Sequence, residues 1–83
     1  MTVPVSKLRW LCRRGMRELD LILGGFLENE YADLPPALQL DFEELLKHID
    51  QDILEWLMCR SSPPPSLKVL VESVIAHLSR RQQ

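Results

Sequence analysis

Apolar residues recur along almost the whole chain at intervals of three and four, the spacing that lines one face of an α-helix. In the first segment Leu8, Leu11 and Cys12 follow that rule after Ser6, a candidate N-cap. Met16, Leu19, Leu23, Phe26 and Leu27 form a second stripe with Ile22 at its flank, and Leu38, Phe42, Leu45, Leu46 and Ile49 form a third after the Pro35-Pro36 breaker. Ile53, Leu54, Trp56 and Leu57 make a short, mostly apolar fourth segment that Asp50 is placed to cap. Beyond Pro63-Pro64-Pro65, Ser66 heads a fifth, in which Leu67, Leu70, Val71, Val74 and Leu78 keep the order i, i+3, i+4, i+7 and i+11. The pattern predicts helices over 6–13, 16–30, 36–47, 51–58 and 66–80. No stretch alternates with period two and no Asn-Gly or Asp-Gly turn occurs. The expected fold is therefore all-α, a compact bundle of about five short helices in a single domain over 1–83.

Eighty-three residues suffice for one core, and a chain of that size buries only about 60% of the surface it exposes when unfolded. A deep, water-excluding catalytic pocket is not expected. Gly24 and Gly25 interrupt the second helix at about 1 kcal/mol each relative to alanine, which suggests either a close crossing with another helix, the favoured reading, or a local weak point. Trp56 reads as a core side chain, whereas Trp10 suits either the core or an interface.

Charge changes the picture more than composition does. The net value is only −2, yet residues 1–17 carry Lys7, Arg9, Arg13, Arg14 and Arg17 with no acid, while residues 18–55 carry eleven acids against Lys47. Such asymmetry concerns partners and steering rather than fold. His48 and His77 read as exposed or half-exposed helix residues without a nucleophile or carboxylate at motif spacing, so acid–base and nucleophilic catalysis have no support. Neither a phosphate-loop glycine pattern nor a calcium-loop spacing is present, and Cys12 and Cys59 read as reduced, semi-buried thiols outside any metal-ligand spacing. No enzyme activity, cofactor or metal is expected. No apolar run reaches the roughly 18 residues needed to span a bilayer, and Met1-Thr2-Val3-Pro4-Val5 lacks the order of a signal peptide. The chain reads as a bacterial cytoplasmic protein without membrane insertion.

One junction is composed poorly for stability. Arg13-Arg14-Gly15-Met16-Arg17-Glu18 sets a weak helix former at a helix start, and sets Arg14 and Arg17 at the positive end of the helix dipole. Without a Cβ at Gly15 a partner's backbone could approach, with Arg14 and Glu18 one turn apart as donor fork and acceptor. The plain alternative is a surface Arg14–Glu18 ion pair worth under about 1 kcal/mol beside a glycine that merely turns the chain. Within Leu8-Arg9-Trp10-Leu11-Cys12-Arg13-Arg14-Gly15-Met16-Arg17-Glu18-Leu19-Asp20, the Arg14-Gly15-x-x-Glu18 motif closely resembles the signature of the bacterial and mitochondrial succinate dehydrogenase assembly factors that promote flavinylation. The likeness continues through Phe26-Leu27, Phe42, Leu45-Leu46 and Asp50-Gln51-Asp52-Ile53-Leu54-Glu55-Trp56-Leu57 to the last helix. It departs at Gly24-Gly25, where the family carries bulkier residues, and at Met58-Cys59, where the family tends to place a glycine.

This resemblance implies a chaperone-like factor that binds the flavoprotein subunit of succinate dehydrogenase, and often of fumarate reductase, and promotes covalent attachment of FAD. It implies Arg14, Gly15 and Glu18 in the contact surface. Arg9, Arg13 and Arg17 would widen the basic patch, with Trp10 as a candidate aromatic anchor. The protein alone is expected to be a monomer. Two other classes compete: an antitoxin-like or other regulatory protein-binding module, and weak nucleic-acid binding through the basic first segment, which the acidic middle of the chain opposes.

Overall fold

The computed structural model describes residues 4–81, so the readings made on Met1–Val3 and on the last two residues lie outside it. In chain order it contains α1 (Val5–Leu11), α2 (Arg17–Asn29), a 3-10 turn (Tyr31–Asp33), α3 (Pro36–Leu45), α4 (Asp50–Leu57), a second 3-10 turn (Pro65–Leu67) and α5 (Lys68–Arg81). Five α-helices therefore surround one core, and the described residues contain no strand. The Cα radius of gyration, 11.7 Å, matches the value of about 12 Å expected for a compact chain of this length.

The predicted stripes meet in that core. From α2 it receives Leu19, Ile22, Leu23, Phe26 and Leu27, from α3 Phe42 and Leu45, from α4 Ile53, Trp56 and Leu57, and from α5 Leu70, Val71 and Val74. Phe26 and Phe42 are fully buried with ring centroids 5.5 Å apart, and Tyr31 stacks obliquely on Phe42 at 5.6 Å. Truncating either phenylalanine to alanine would cost about 3–5 kcal/mol, a large share of the stability of so small a domain.

The helix starts differ from their sequence reading. Helices α1, α2, α3 and α4 begin after Pro4, Met16, Pro35 and Ile49, and none has a side-chain cap. Ser6 falls inside the first turn of α1, Asp50 is the first residue of α4, and Ser66 lies within the 3-10 turn that precedes α5. Extended backbone at these four positions sets the starts; Pro4 and Pro35 have a fixed φ suited to that role. Ile49, read as core, is 65% exposed because it stands in the extended residue before α4 and not on the inner face of α3. The segment predicted over 6–13 ends at Leu11, and the one predicted over 36–47 ends at Leu45.

Three further expectations are corrected. A Cβ added at Gly24 would meet nothing within 4 Å, so no helix crosses closely there. His77 is 5% exposed: it follows Val74 by three positions on the inner face of α5, its ring edge-on to Phe26 at 5.8 Å. Its Nδ1 lies 3.3 Å from Glu30 Oε2, which Arg80 also contacts at 3.3 Å. His48 is half-buried in the turn after α3, edge-on to Trp56 at 5.0 Å. The two cysteines also part ways, Cys12 buried and Cys59 exposed.

Cys59 closes α4 in a left-handed conformation, φ +59°. Its N–H donates to Trp56 O at 3.1 Å and the N–H of Arg60 donates to Glu55 O at 2.9 Å, the paired bonds of a Schellman cap. The position that favours glycine is thus one of the two places at which this sequence departs from its family resemblance.

Candidate functional site

The junction between α1 and α2 is built around a reversal of direction. Helix α1 stops at Leu11, with Cys12 N–H donating to Leu8 O at 3.0 Å and Arg13 N–H to Trp10 O at 3.1 Å. Gly15 takes φ +85°, a region that L side chains avoid, and Met16 is extended before α2 begins at Arg17. Glu18 and Asp20 in the first turn of α2 set negative charge at the positive end of its dipole, countering the arginines.

Arg14 does not face solvent. Its side chain is only 10% exposed and turns back into the protein. Nε donates to Asp50 Oδ1 at 2.6 Å, Nη1 donates to Leu11 O at 3.0 Å and to Leu46 O at 2.8 Å, and Nη2 donates to His48 O. The main-chain N–H of the same residue donates to Asp20 Oδ1 at 2.6 Å. Leu11 ends α1, while Leu46 and His48 follow the last residue of α3, so the guanidinium neutralises carbonyls at two helix C-termini. The planar fork suits this task, satisfying several acceptors at fixed angles where a lysine would offer a point charge. The Arg14–Glu18 surface pair weighed from the sequence is not made.

The other signature residues stay outside. Gly15 and Glu18 are exposed, and a Cβ at Gly15 would meet no atom within 4 Å. Arg13 and Arg17 are exposed and make no ion pair among the described residues. Arg9 is exposed but engaged, with Nε and Nη2 each 3.0 Å from Glu28 Oε1. Trp10, left open between core and interface, is 68% exposed, and Leu21 on α2 is 61% exposed.

A shallow groove of about 450 Å³ runs here, lined by Arg9, Arg13, Asp20 and Leu21 together with Cys12, Gly15 and Gly24. Gly24 thus leaves room at the surface and not at a helix crossing. Burial raises the Cys12 thiol pKa to about 11, the nearby Arg14 charge opposing the shift and Asp20 reinforcing it. That thiol is consequently protonated and unreactive at neutral pH. The structure brings Arg9, Arg13 and Gly15 around one groove, leaves Glu18, Arg17 and Trp10 exposed outside its lining, and withdraws the Arg14 side chain.

Sequence reasoning missed Asp20, Asp50 and Leu21. The first two stood within the segments that carry the family resemblance, immediately after Leu19 and at the head of Asp50-x-Asp52-Ile53, and that was the available signal. Nothing in the local pattern marked Leu21, an apolar residue on the outer face of α2.

A helical bundle that presents an open glycine junction between arginines has the form of a binding module, and comparison with known proteins defines its class. Residues 6–81 match the family described as flavinator of succinate dehydrogenase, and the chain belongs to that family. Among curated relatives, the FAD assembly factor SdhE of Photobacterium profundum is 41% identical over 73 residues, covering 87% of this chain and 83% of the relative. The protein of the same name in Legionella pneumophila is 41% identical over 69 residues, 83% of this chain and 87% of the relative. That of Haemophilus ducreyi is 34% identical over 73 residues, 87% of this chain and 89% of the relative. All three are named as assembly factors and not as enzymes. No helix among the described residues is long and apolar enough to cross a membrane.

Proposed function

We propose that this protein binds the flavoprotein subunit of succinate dehydrogenase and promotes covalent attachment of FAD to it, with the α1–α2 junction as the docking surface. Family membership across 6–81 supports the reading most strongly. The open approach to Gly15, flanked by exposed Arg13, Arg17 and Glu18, supports the choice of surface.

In this reading the flavoprotein subunit carries out its own bond formation. The assembly factor binds preferentially to the conformation in which FAD and the acceptor side chain are aligned, and so raises its population. Moving a client from 1% to 99% competent would require a preference of about 5.5 kcal/mol for that state. Exposed Trp10 and Leu21 supply apolar area for such a contact, while Arg13 and Arg17 accelerate encounter with an acidic client surface. The homologous subunit of fumarate reductase is a second client of the same chemistry, and the cytoplasm is the compartment where either would be met.

The test is deletion of the gene followed by in-gel fluorescence of covalent FAD on the flavoprotein subunit. Loss of the signal, restored by the wild-type gene, is expected; full flavinylation without the gene would contradict the proposal.

A further inference from the structure

Arg14 is held at both ends, its main-chain N–H by Asp20 of α2 and its guanidinium by Asp50 and two carbonyls of the α3–α4 turn, besides Leu11 O. The next residue, Gly15, has a conformational range that no side chain restricts, and nothing packs over it. A free glycine joint would lose that freedom on binding, and the loss would be subtracted from affinity. Here the residue on the N-terminal side of the joint is tied to groups as far as 36 positions away in the chain.

We propose that Asp50 is a positioning residue for the docking junction, acting through Arg14, so that the α3–α4 turn sets the geometry in which Gly15 and Glu18 are presented. The inference rests on the docking surface proposed above. Asp50 is suited to the role because it starts α4 and its side chain is one-third exposed, so its removal opens no cavity in the apolar core. Asp52, two residues further along the same helix, is exposed and makes no ion pair among the described residues. Asp50→Ala and Asp52→Ala therefore change net charge equally and differ in what they do to Arg14.

Three readouts on the full chain separate positioning from stability and from charge. In the free protein, Asp50→Ala should speed hydrogen exchange of the Arg14 amide by at least about tenfold more than it speeds the Leu70 and Val74 amides in the core of α5, which report only the change in global stability. Affinity for the purified flavoprotein subunit should fall about tenfold, equivalent to about 1.4 kcal/mol. Asp50→Asn, which keeps an oxygen acceptor for Nε, should recover part of both, and Asp52→Ala should change neither. Unaltered Arg14 exchange in Asp50→Ala, equal acceleration of the α5 amides, unaltered affinity, or an equal affinity loss in Asp52→Ala would each overturn the proposal. If the wild-type protein fails to bind the subunit, the docking surface itself is refuted, whereas the exchange result still shows whether Asp50 holds Arg14.

Discussion

Asp50 Oδ1 and Arg14 Nε lie 2.6 Å apart across 36 positions of sequence, joining the head of α4 to the loop that leaves α1. The pair is embedded in carbonyl acceptors from the ends of two helices, so the arginine is a structural tie.

Arg14→Ala should accordingly lower stability by about 2–4 kcal/mol, because it leaves Asp50 and several carbonyls without their donor. For a domain of this size the melting temperature would drop by roughly 10 °C or more. Thermal denaturation followed by circular dichroism checks this; a change within about 0.5 kcal/mol would show that solvent replaces the arginine without loss. Arg14→Lys should fall between, since an ammonium can keep one ion pair but cannot reach all four acceptors.

Glu18 and Gly15 should behave in the opposite way. Glu18 is exposed and makes no ion pair among the described residues, so Glu18→Ala should cost no more than about 0.5–1 kcal/mol, chiefly its favourable place near the positive end of the α2 dipole. Gly15→Arg meets open space and pays mainly for its positive φ, about 1–2 kcal/mol. Both variants should retain their helical circular dichroism while losing the ability to restore flavinylation in a deletion strain. Unfolding of Gly15→Arg would mark the glycine as structural.

The helices were legible in the sequence because each carries its own local record, a stripe of apolar residues that no other part of the chain need supply. Their starts were less so. Ser6, Asp50 and Ser66 looked like caps, yet the backbone before α1 and α3 is set by prolines, and Asp50 is engaged by Arg14. The signature was legible as a motif but not as a geometry. In sequence Arg14 reads against the dipole of α2, the helix it precedes, while its side chain serves the C-termini of α1 and α3, one of them more than thirty positions away and reached through backbone carbonyls that carry no residue identity. Gly24 is ambiguous in sequence for a related reason, since a glycine relieves crowding equally well beneath a neighbouring helix and at the rim of a groove.

Cys59→Gly should stabilise the protein. At φ +59° a cysteine bears the steric cost of a left-handed residue, and glycine does not, so a gain of about 0.5–1 kcal/mol is expected with the Schellman bonds intact. Chemical denaturation would show it as a higher midpoint at unchanged slope. A lower midpoint would mean that the thiol contributes packing that outweighs the strain.

The two cysteines should also separate chemically. At pH 8 iodoacetamide should modify exposed Cys59 in the folded protein and reach Cys12 only on unfolding. Because burial raises the Cys12 pKa from 9.0 to about 11, the unfolded chain releases this proton first as pH rises. The contribution of Cys12 to stability should thus be fully present below pH 9 and decline between pH 9 and about 11. Denaturation midpoints measured across that range test the sign, and a rise in stability attributable to this thiol would contradict it.

If the glycine junction is kept open for a client, direct binding to that client depends on it. Titrating the purified flavoprotein subunit of succinate dehydrogenase with the wild-type protein and with Gly15→Arg, both confirmed as folded, should give saturable binding for the first and at least a hundredfold loss for the second, about 2.7 kcal/mol. Equal affinity of the two proteins would place the client on some other surface and refute a docking role for the junction.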